Sequence, residues 1–150
     1  MTDTPTSEPK VTPSTPPPAK TAPAGNTSDQ IVYVAEDDQF YAHIYEVKLN
    51  KDGFRVMVFG NGQELLDQVK KEKPCLILLD LMMPIKDGFD TLTELKADAA
   101  SKDIPVIITS NLGQEEDISR AKSMGAVDYF VKTNISIQEL VSLIRKYLPA

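Results

Sequence analysis

The chain has 150 residues, a formal charge of −6, one cysteine, no tryptophan and 41% apolar residues, which is ordinary for a soluble globular protein. Because nucleic acids and anionic membranes bind cationic side chains, an acidic chain without a Lys/Arg stripe is a poor candidate for binding either. The lone Cys75 excludes a disulfide framework and a Cys-based metal site. The apolar runs are too short for a membrane span and no secretory signal is recognisable, so we expect a cytoplasmic protein.

The N-terminal segment differs in composition from the rest of the chain. Its first 28 residues contain seven of the eleven prolines, among many Thr and Ser. Such a segment cannot build a core, so we predict a disordered tail with some polyproline II character over residues 1–28. Its acidic and basic residues cancel. The charge of −6 therefore belongs to residues 29–150, a length that sustains one domain.

Five short apolar runs, rich in Val, Ile and Leu, predict the strands. In chain order they cover residues 31–35, 54–59, 75–79, 104–108 and 126–131. Several are almost continuously apolar, which is typical of strands that are covered on both faces in a parallel sheet. Cys75 begins the third run, and this position favours a buried, inert thiol.

The segments between these runs have helical spacing. In the first helix Phe40, Ile44 and Val47 share one apolar face, and Gly53 ends the helix in a left-handed conformation. The second, third and fifth helices have apolar faces at Leu65, Leu66 and Val69; at Phe89, Leu92 and Leu95; and at Ile137, Leu140, Val141, Ile144 and Leu148. Asn61 with Glu64, and Ser136 with Glu139, are spaced to cap the second and fifth helices.

The fourth helix is the weakest of the five. Between Gln114 and Met124 only Ile118, Ala121 and Met124 are predicted to be buried. Acidic residues at its start complement the helix dipole. An element with so little burial can shift at a small cost in free energy.

Strict alternation of strands and helices predicts an α/β fold with helices on both faces of a parallel sheet. Ligands of such sheets bind beyond the carboxyl ends of the strands. The polar residues that follow the predicted strands are Glu36, Asp37, Asp38, Asp80, Thr109, Ser110 and Lys132. We expect them to gather at this edge.

These residue types suggest phosphoryl chemistry with a metal. The three successive carboxylates Glu36, Asp37 and Asp38 by themselves fit a solvated helix start. With Asp80 on a neighbouring strand, three or more carboxylates would meet in one crevice, and a hard divalent cation, Mg²⁺ or Mn²⁺, would neutralise them. An aspartate can attack phosphorus and form an acyl phosphate. A Thr109 hydroxyl and a Lys132 ammonium would then contact phosphoryl oxygens, although either residue alone also fits an ordinary strand end.

At this point the sequence strongly resembles the receiver domain of two-component response regulators. The resemblance covers residues 30–149 and rests on four motifs in the right order: Val34 to Asp38, Leu78 to Pro84 with Asp87 and Gly88, Ile107 to Ser110, and Gly125 to Lys132. It implies that residues 29–150 form a doubly wound, five-stranded parallel sheet in the flavodoxin-like order 2-1-3-4-5, within a three-layer sandwich.

The resemblance also implies a role for each site residue. Asp80 is the phosphoacceptor, Thr109 contacts the phosphoryl group, Lys132 pairs with it, and Tyr129 joins Thr109 in the switch. The expected ligands of Mg²⁺, or of Mn²⁺ as a substitute, are Glu36, Asp37, Asp80 and the main-chain carbonyl of Met82. For Asp38 we favour a helix N-cap over direct ligation.

The function so implied is a phosphorylation-dependent switch rather than an enzyme. The one histidine, His43, is expected to be a surface or half-buried residue, so the phosphoryl donor must be another protein. By the resemblance this donor is a sensor histidine kinase or a histidine phosphotransfer protein. Because no effector domain follows the predicted last helix, we expect output through a protein contact or onward phosphotransfer. The expected contact surface is the fourth helix and fifth strand, without nucleic acid or membrane.

Other protein classes fit the sequence less well. A haloacid dehalogenase-type phosphatase also uses an aspartate nucleophile and Mg²⁺, but it needs a second aspartate two residues on, where this chain has Met82. A flavin mononucleotide binder needs a phosphate loop where this chain has consecutive acids. An unphosphorylated scaffold is disfavoured because every expected site residue is present. One departure from the family is Thr133, which replaces a proline that often follows a cis bond.

Overall fold

The computed structural model describes residues 30–111, 113–133 and 136–148, and five strands and five helices alternate along them. The strands are β1 (Ile31–Ala35), β2 (Arg55–Phe59), β3 (Leu76–Asp80), β4 (Val106–Ser110) and β5 (Asp128–Val131). The helices are α1 (Gln39–Lys51), α2 (Gly62–Lys71), α3 (Gly88–Ala97), α4 (Glu115–Ser123) and α5 (Ile137–Tyr147). The predicted disordered tail, residues 1–28, lies outside the described residues.

The five strands form one parallel sheet in the order β2-β1-β3-β4-β5, which confirms the predicted order. One core cluster packs side chains of α2, α3 and α4 against one sheet face, and a second packs α1 and α5 against the other. The predicted three-layer α/β sandwich is therefore confirmed. The strand order reverses between β1 and β3, where such sheets bind their ligands.

Burial of the strands follows the apolar runs of the sequence. Every residue of β1, β3 and β4 is buried, because helices cover both sheet faces at these positions. The edge strand β2 differs, with Arg55 and Val58 exposed. Cys75 is half-buried rather than buried, since it lies just before β3 begins.

The predicted apolar face of α1 is wrong. Phe40 is 67% exposed and Val47 is 46% exposed, while Ile44 is only half-buried. The residues of α1 that contact the core are Ala42, Tyr45 and Leu49. Apolar side chains lie on more than one side of this helix, so hydropathy alone does not identify the buried side.

The other helices agree better with the sequence patterns. The Asn61 side chain accepts a hydrogen bond from the Glu64 N–H at 2.9 Å, and Ser136 and Glu139 form the predicted reciprocal capping box. Gly53 follows α1 with φ 96°, in the predicted left-handed region. In α4 only Ala121 is buried, which confirms weak packing, and Ile118 and Met124 are half-buried.

No helix within the described ranges combines the length and the apolarity that crossing a bilayer requires.

Candidate functional site

The carboxyl ends of four strands bring the predicted site residues to one edge of the sheet. Strand β3 ends at Asp80 and β4 at Ser110, and the loops after β1 and β5 carry Glu36 and Lys132. Asp80 and Thr109 are direct neighbours in the β3–β4 register. Residues that are far apart in the sequence therefore share one crevice.

The loop that follows Asp80 returns close to the end of β3. The residue is 4% exposed, and its Oδ1 accepts a hydrogen bond from the Met82 N–H at 3.4 Å. The chain then returns at Gly88, whose N–H donates to the Leu81 carbonyl at 2.9 Å. A Cβ at Gly88 would lie 2.5 Å from the Asp80 carbonyl oxygen, so only glycine permits this close approach.

Lys132 and Glu36 form a buried ion pair beside Asp80. The Lys132 Nζ lies 2.5 Å from Glu36 Oε1 and 3.6 Å from Asp80 Oδ2, and the Lys132 side chain is 2% exposed. The second Glu36 oxygen accepts a hydrogen bond from the Asp38 N–H at 3.2 Å. The lysine is thus closer to the glutamate than to the predicted phosphoacceptor.

The electrostatic setting of Asp80 disfavours its charged form. Burial, and then the negative charge of Glu36, raises the pKa of Asp80 to about 7, while the Lys132 ammonium acts in the opposite direction. Near neutral pH the surrounding side chains therefore do not fully stabilise the ionised form of Asp80. Additional positive charge would stabilise it.

The carboxylates that could hold a cation are Glu36, Asp37 and Asp80, and one oxygen of each lies within 4.8 Å of the others. Asp37 is exposed, whereas Glu36 and Asp80 are buried. This all-oxygen donor set fits a hard divalent cation. Met82 follows on the loop after Asp80 and is 62% exposed, and ligation by its carbonyl stays a prediction.

Asp38 has a structural contact of its own. It is the N-cap of α1, and its Oδ1 accepts a hydrogen bond from the Phe40 N–H at 2.9 Å. This bond satisfies one of the free backbone donors at the start of the helix. The N-cap prediction is therefore confirmed.

Thr109 and Tyr129 lie on adjacent strands, but the Tyr129 hydroxyl is engaged with Ser110. Thr109 is 1% exposed, next to Asp80. Tyr129 is half-buried against the core cluster that includes Ala121 of α4. Burial raises the pKa of the Tyr129 hydroxyl, and the hydrogen bond with Ser110 opposes that effect. Tyr129 thus connects the end of β4 with the layer that contains α4.

The sequence patterns missed Tyr41, a half-buried residue of α1. The Lys132 Nζ lies 4.5 Å from the centroid of the Tyr41 ring. A signal existed, since Tyr41 and Tyr45 stand four residues apart shortly after the acidic run and so share one side of a helix. His43, on the same helix, is exposed as predicted.

The loop after β5 accommodates Thr133 without an unusual peptide bond. Residues 132 and 133 are both described, and no cis peptide bond occurs in the described parts of the chain. The Lys132–Thr133 bond is therefore trans.

Comparison with known proteins gives one consistent family. The model of the response regulator receiver domain matches residues 32–145. Sporulation initiation phosphotransferase F of Bacillus subtilis (strain 168) is 36% identical over 114 residues, which are 75% of this chain and 90% of that protein. Other curated relatives are longer. The match covers 46% of the probable transcriptional regulator ycf27 of Porphyra purpurea, so the chain spans about half the length of such proteins.

Solved structures have the same fold. The BeF3-activated N-terminal receiver domain of Klebsiella pneumoniae RstA has a TM-score of 0.74 and 26% identity, with 81% of this chain and 100% of that chain covered. The receiver domain of the sensor histidine kinase PA1611 from Pseudomonas aeruginosa PAO1, with a magnesium ion coordinated in its active site cleft, has a TM-score of 0.72 and 22% identity. That alignment covers 79% of this chain and 96% of that chain and shows the fold alone.

Proposed function

Because this chain belongs to the family of response regulator receiver domains, we propose that it is a two-component signalling switch set by a phosphoryl group on Asp80. The observation that carries the proposal is the buried Asp80 carboxylate, with the Lys132 ammonium 3.6 Å away and Thr109 beside it in the sheet. A nucleophile, a cation and a hydroxyl therefore meet at the reversal of strand order.

The chemical step is a transfer between a nitrogen and a carboxylate oxygen. An Asp80 oxygen attacks the phosphorus of a phosphohistidine, a P–O bond forms, and the P–N bond breaks. The electron pair of the broken bond stays on the imidazole nitrogen, which takes a proton from water. The Lys132 ammonium favours the ionised, nucleophilic form of Asp80 and then pairs with a phosphoryl oxygen. The Thr109 hydroxyl donates to another phosphoryl oxygen.

The metal belongs to the same proposal. Glu36, Asp37, Asp80 and the main-chain carbonyl of Met82 would hold Mg²⁺, or Mn²⁺ in its place, because three carboxylates already converge within 4.8 Å. When bound, the ion supplies positive charge that offsets the charge of the phosphoryl oxygens. The raised pKa of Asp80 is consistent with this assignment, because burial first, and then the charge of Glu36, disfavours the carboxylate, and a bound cation would stabilise it.

The signal leaves the site through Thr109 and Tyr129. Phosphorylation draws the Thr109 hydroxyl toward the phosphoryl group, and the Tyr129 ring turns into the space that is vacated. Tyr129 packs in the layer of α4, whose single buried residue is Ala121. A weakly packed helix shifts at small cost, so α4 and β5 form the surface whose partner affinity changes.

The partners follow from this chemistry. The donor is a sensor histidine kinase or a histidine phosphotransfer protein, and a downstream protein reads the α4–β5 surface. The net charge of −6 argues against direct contact with nucleic acid or anionic membrane. The proposal includes a cytoplasmic location.

A haloacid dehalogenase-type phosphatase has no support. The general acid of such an enzyme would stand two residues after Asp80, and that residue is Met82, whose thioether side chain cannot transfer a proton. The proposal therefore restricts catalysis by this domain to its own phosphorylation and dephosphorylation.

Intact-mass analysis after incubation with acetyl phosphate and Mg²⁺ tests the proposal. We expect one added phosphoryl group on the full chain, and none when EDTA removes the metal. In Asp80→Asn the nucleophile is absent, so the added mass should disappear, whereas the matched control Asp87→Asn should keep it because Asp87 only caps α3. An unmodified wild type, or a modified Asp80→Asn, would contradict the proposal.

A further inference from the structure

The Lys132 ammonium has a third partner besides its two carboxylates. Its Nζ lies 2.5 Å from Glu36 Oε1, 3.6 Å from Asp80 Oδ2 and 4.5 Å from the Tyr41 ring centroid. Since the lysine side chain is only 2% exposed, bulk water does not solvate it on the remaining side. The face of an aromatic ring carries negative potential and attracts such a cation.

The Tyr41 ring is itself held in place. It packs against the core cluster that contains Tyr45 and Leu49. The ring centroids of Tyr41 and Tyr45 are 6.1 Å apart, and Phe40 meets Tyr41 edge to face at 5.5 Å. Because Tyr41 and Tyr45 stand one helical turn apart, α1 fixes the ring beside the end of β5. The ring is thus a wall of the crevice.

We propose that Tyr41 is a positioning residue, whose ring holds the Lys132 ammonium beside Asp80 while leaving it free to move from Glu36 to the phosphoryl group. An aromatic face attracts the cation but offers no oxygen lone pair to retain it. A water molecule or a polar side chain in the same place would compete with the phosphoryl oxygens. This role rests on the proposed function of Asp80 and concerns a residue outside the proposed phosphoacceptor and metal ligand set.

The first test is the rate of phosphorylation by acetyl phosphate at saturating Mg²⁺, followed by intact mass. In this step Asp80 forms a P–O bond to phosphorus, and acetate leaves with the electrons of its own P–O bond. We expect Tyr41→Leu to be phosphorylated about three- to tenfold more slowly, from the usual strength of a partly desolvated cation–π contact. Tyr41→Phe keeps the ring and should stay within about twofold of the wild type.

A double-mutant cycle separates positioning from general damage to the fold. In a Lys132→Met background the cation is gone, so Tyr41→Leu should cause no further loss of rate. Val47→Ala is the matched control on α1, since Val47 is 46% exposed, and it should leave the rate unchanged. Thermal unfolding of each variant shows whether the domain is intact.

A spectroscopic measurement needs no phosphorylation. In the wild type labelled with ¹³C-lysine, the ring current of Tyr41 should shift the Lys132 ε-methylene protons upfield, and this shift should disappear in Tyr41→Leu but persist in Tyr41→Phe.

The two proposals fail in different ways. A wild type that is never phosphorylated overturns the role of Asp80, while the lysine spectrum still reports on the contact. A wild type that is phosphorylated, with Tyr41→Leu equally fast or with Tyr41→Phe equally impaired, overturns the role of Tyr41. Additive losses in the Lys132→Met cycle would do the same.

Discussion

At the scale of single residues, the most strained backbone conformation in the described ranges lies in the loop after Asp80. Ile85 has φ 69°, and it is the only residue other than glycine with a positive φ in the described ranges. A β-branched side chain fits the left-handed region poorly. Since Ile85 is also 83% exposed, packing hardly compensates for this strain. Loop strain of this kind is common beside functional sites.

Replacing Ile85 should therefore stabilise the domain. Asparagine tolerates the left-handed conformation, and little apolar burial is lost, so we expect Ile85→Asn to raise the free energy of unfolding by about 0.5–1 kcal/mol. Urea denaturation of the two proteins measures the difference. Met82→Asn is the matched control, because Met82 is exposed on the same loop with a negative φ, and it should bring no gain. A less stable Ile85→Asn would contradict the interpretation.

Cys75 should behave as an inert thiol. Burial raises its pKa to about 11, so the thiol stays protonated over the physiological range. Below that pKa the thiolate fraction rises about tenfold per pH unit, and the rate of alkylation by iodoacetamide should do the same from pH 7 to pH 10. In the urea-unfolded chain the rate should level off near pH 8.5, the ordinary pKa of cysteine. A plateau near pH 8.5 in the native protein would show that the thiol is not perturbed.

At the scale of the elements, the buried face of a helix could be predicted when only one of its faces is apolar. The prediction failed for a helix with apolar side chains on two faces. The buried residues of α5 are Leu140, Val141 and Ile144, all within the predicted stripe. In α1 the expected face, with Phe40 and Val47, points outward, and Tyr45 and Leu49 enter the core. Which apolar side of α1 meets the sheet depends on the packing of α1 against its neighbours, and no local pattern contains that information.

Weak packing of α4 predicts fast local opening. It has one buried residue and no side-chain N-cap hydrogen bond, whereas α5 has three buried residues and a capping box. Amides of α4 should therefore exchange with deuterium faster than those of α5, by about tenfold or more. Hydrogen exchange followed by mass spectrometry measures this ratio.

The same measurement examines the proposed switch. Phosphorylation should change the exchange of α4 in the wild type and leave it unchanged in Tyr129→Ala, with α2 as the internal reference. Equal exchange in α4 and α5 would contradict the weak packing of α4. A response of α4 to phosphorylation in Tyr129→Ala as large as in the wild type would contradict the role of Tyr129 in the switch.

At the scale of the whole molecule, the layers could be predicted from alternation, and the strand order from the resemblance to receiver domains. The gathering of Glu36, Asp80, Thr109 and Lys132 followed from the rule for strand ends. The details within the site did not follow. The closer pairing of Lys132 with Glu36 and the ring of Tyr41 over its ammonium depend on distances between segments that are remote in the sequence.

Because four strands contribute residues to the site, the site forms only when these strands are all in place. Glu36 follows the first strand and Lys132 follows the last, so the crevice exists only after the whole sheet has closed. A nascent chain still lacking β5, or one with that strand detached, has Asp80 but not its ammonium partner. Under the proposed function, such a chain would lack the lysine that pairs with the phosphoryl group. Phosphorylation of Asp80 would therefore depend on complete folding of these strands, and incomplete chains would not take part in signalling.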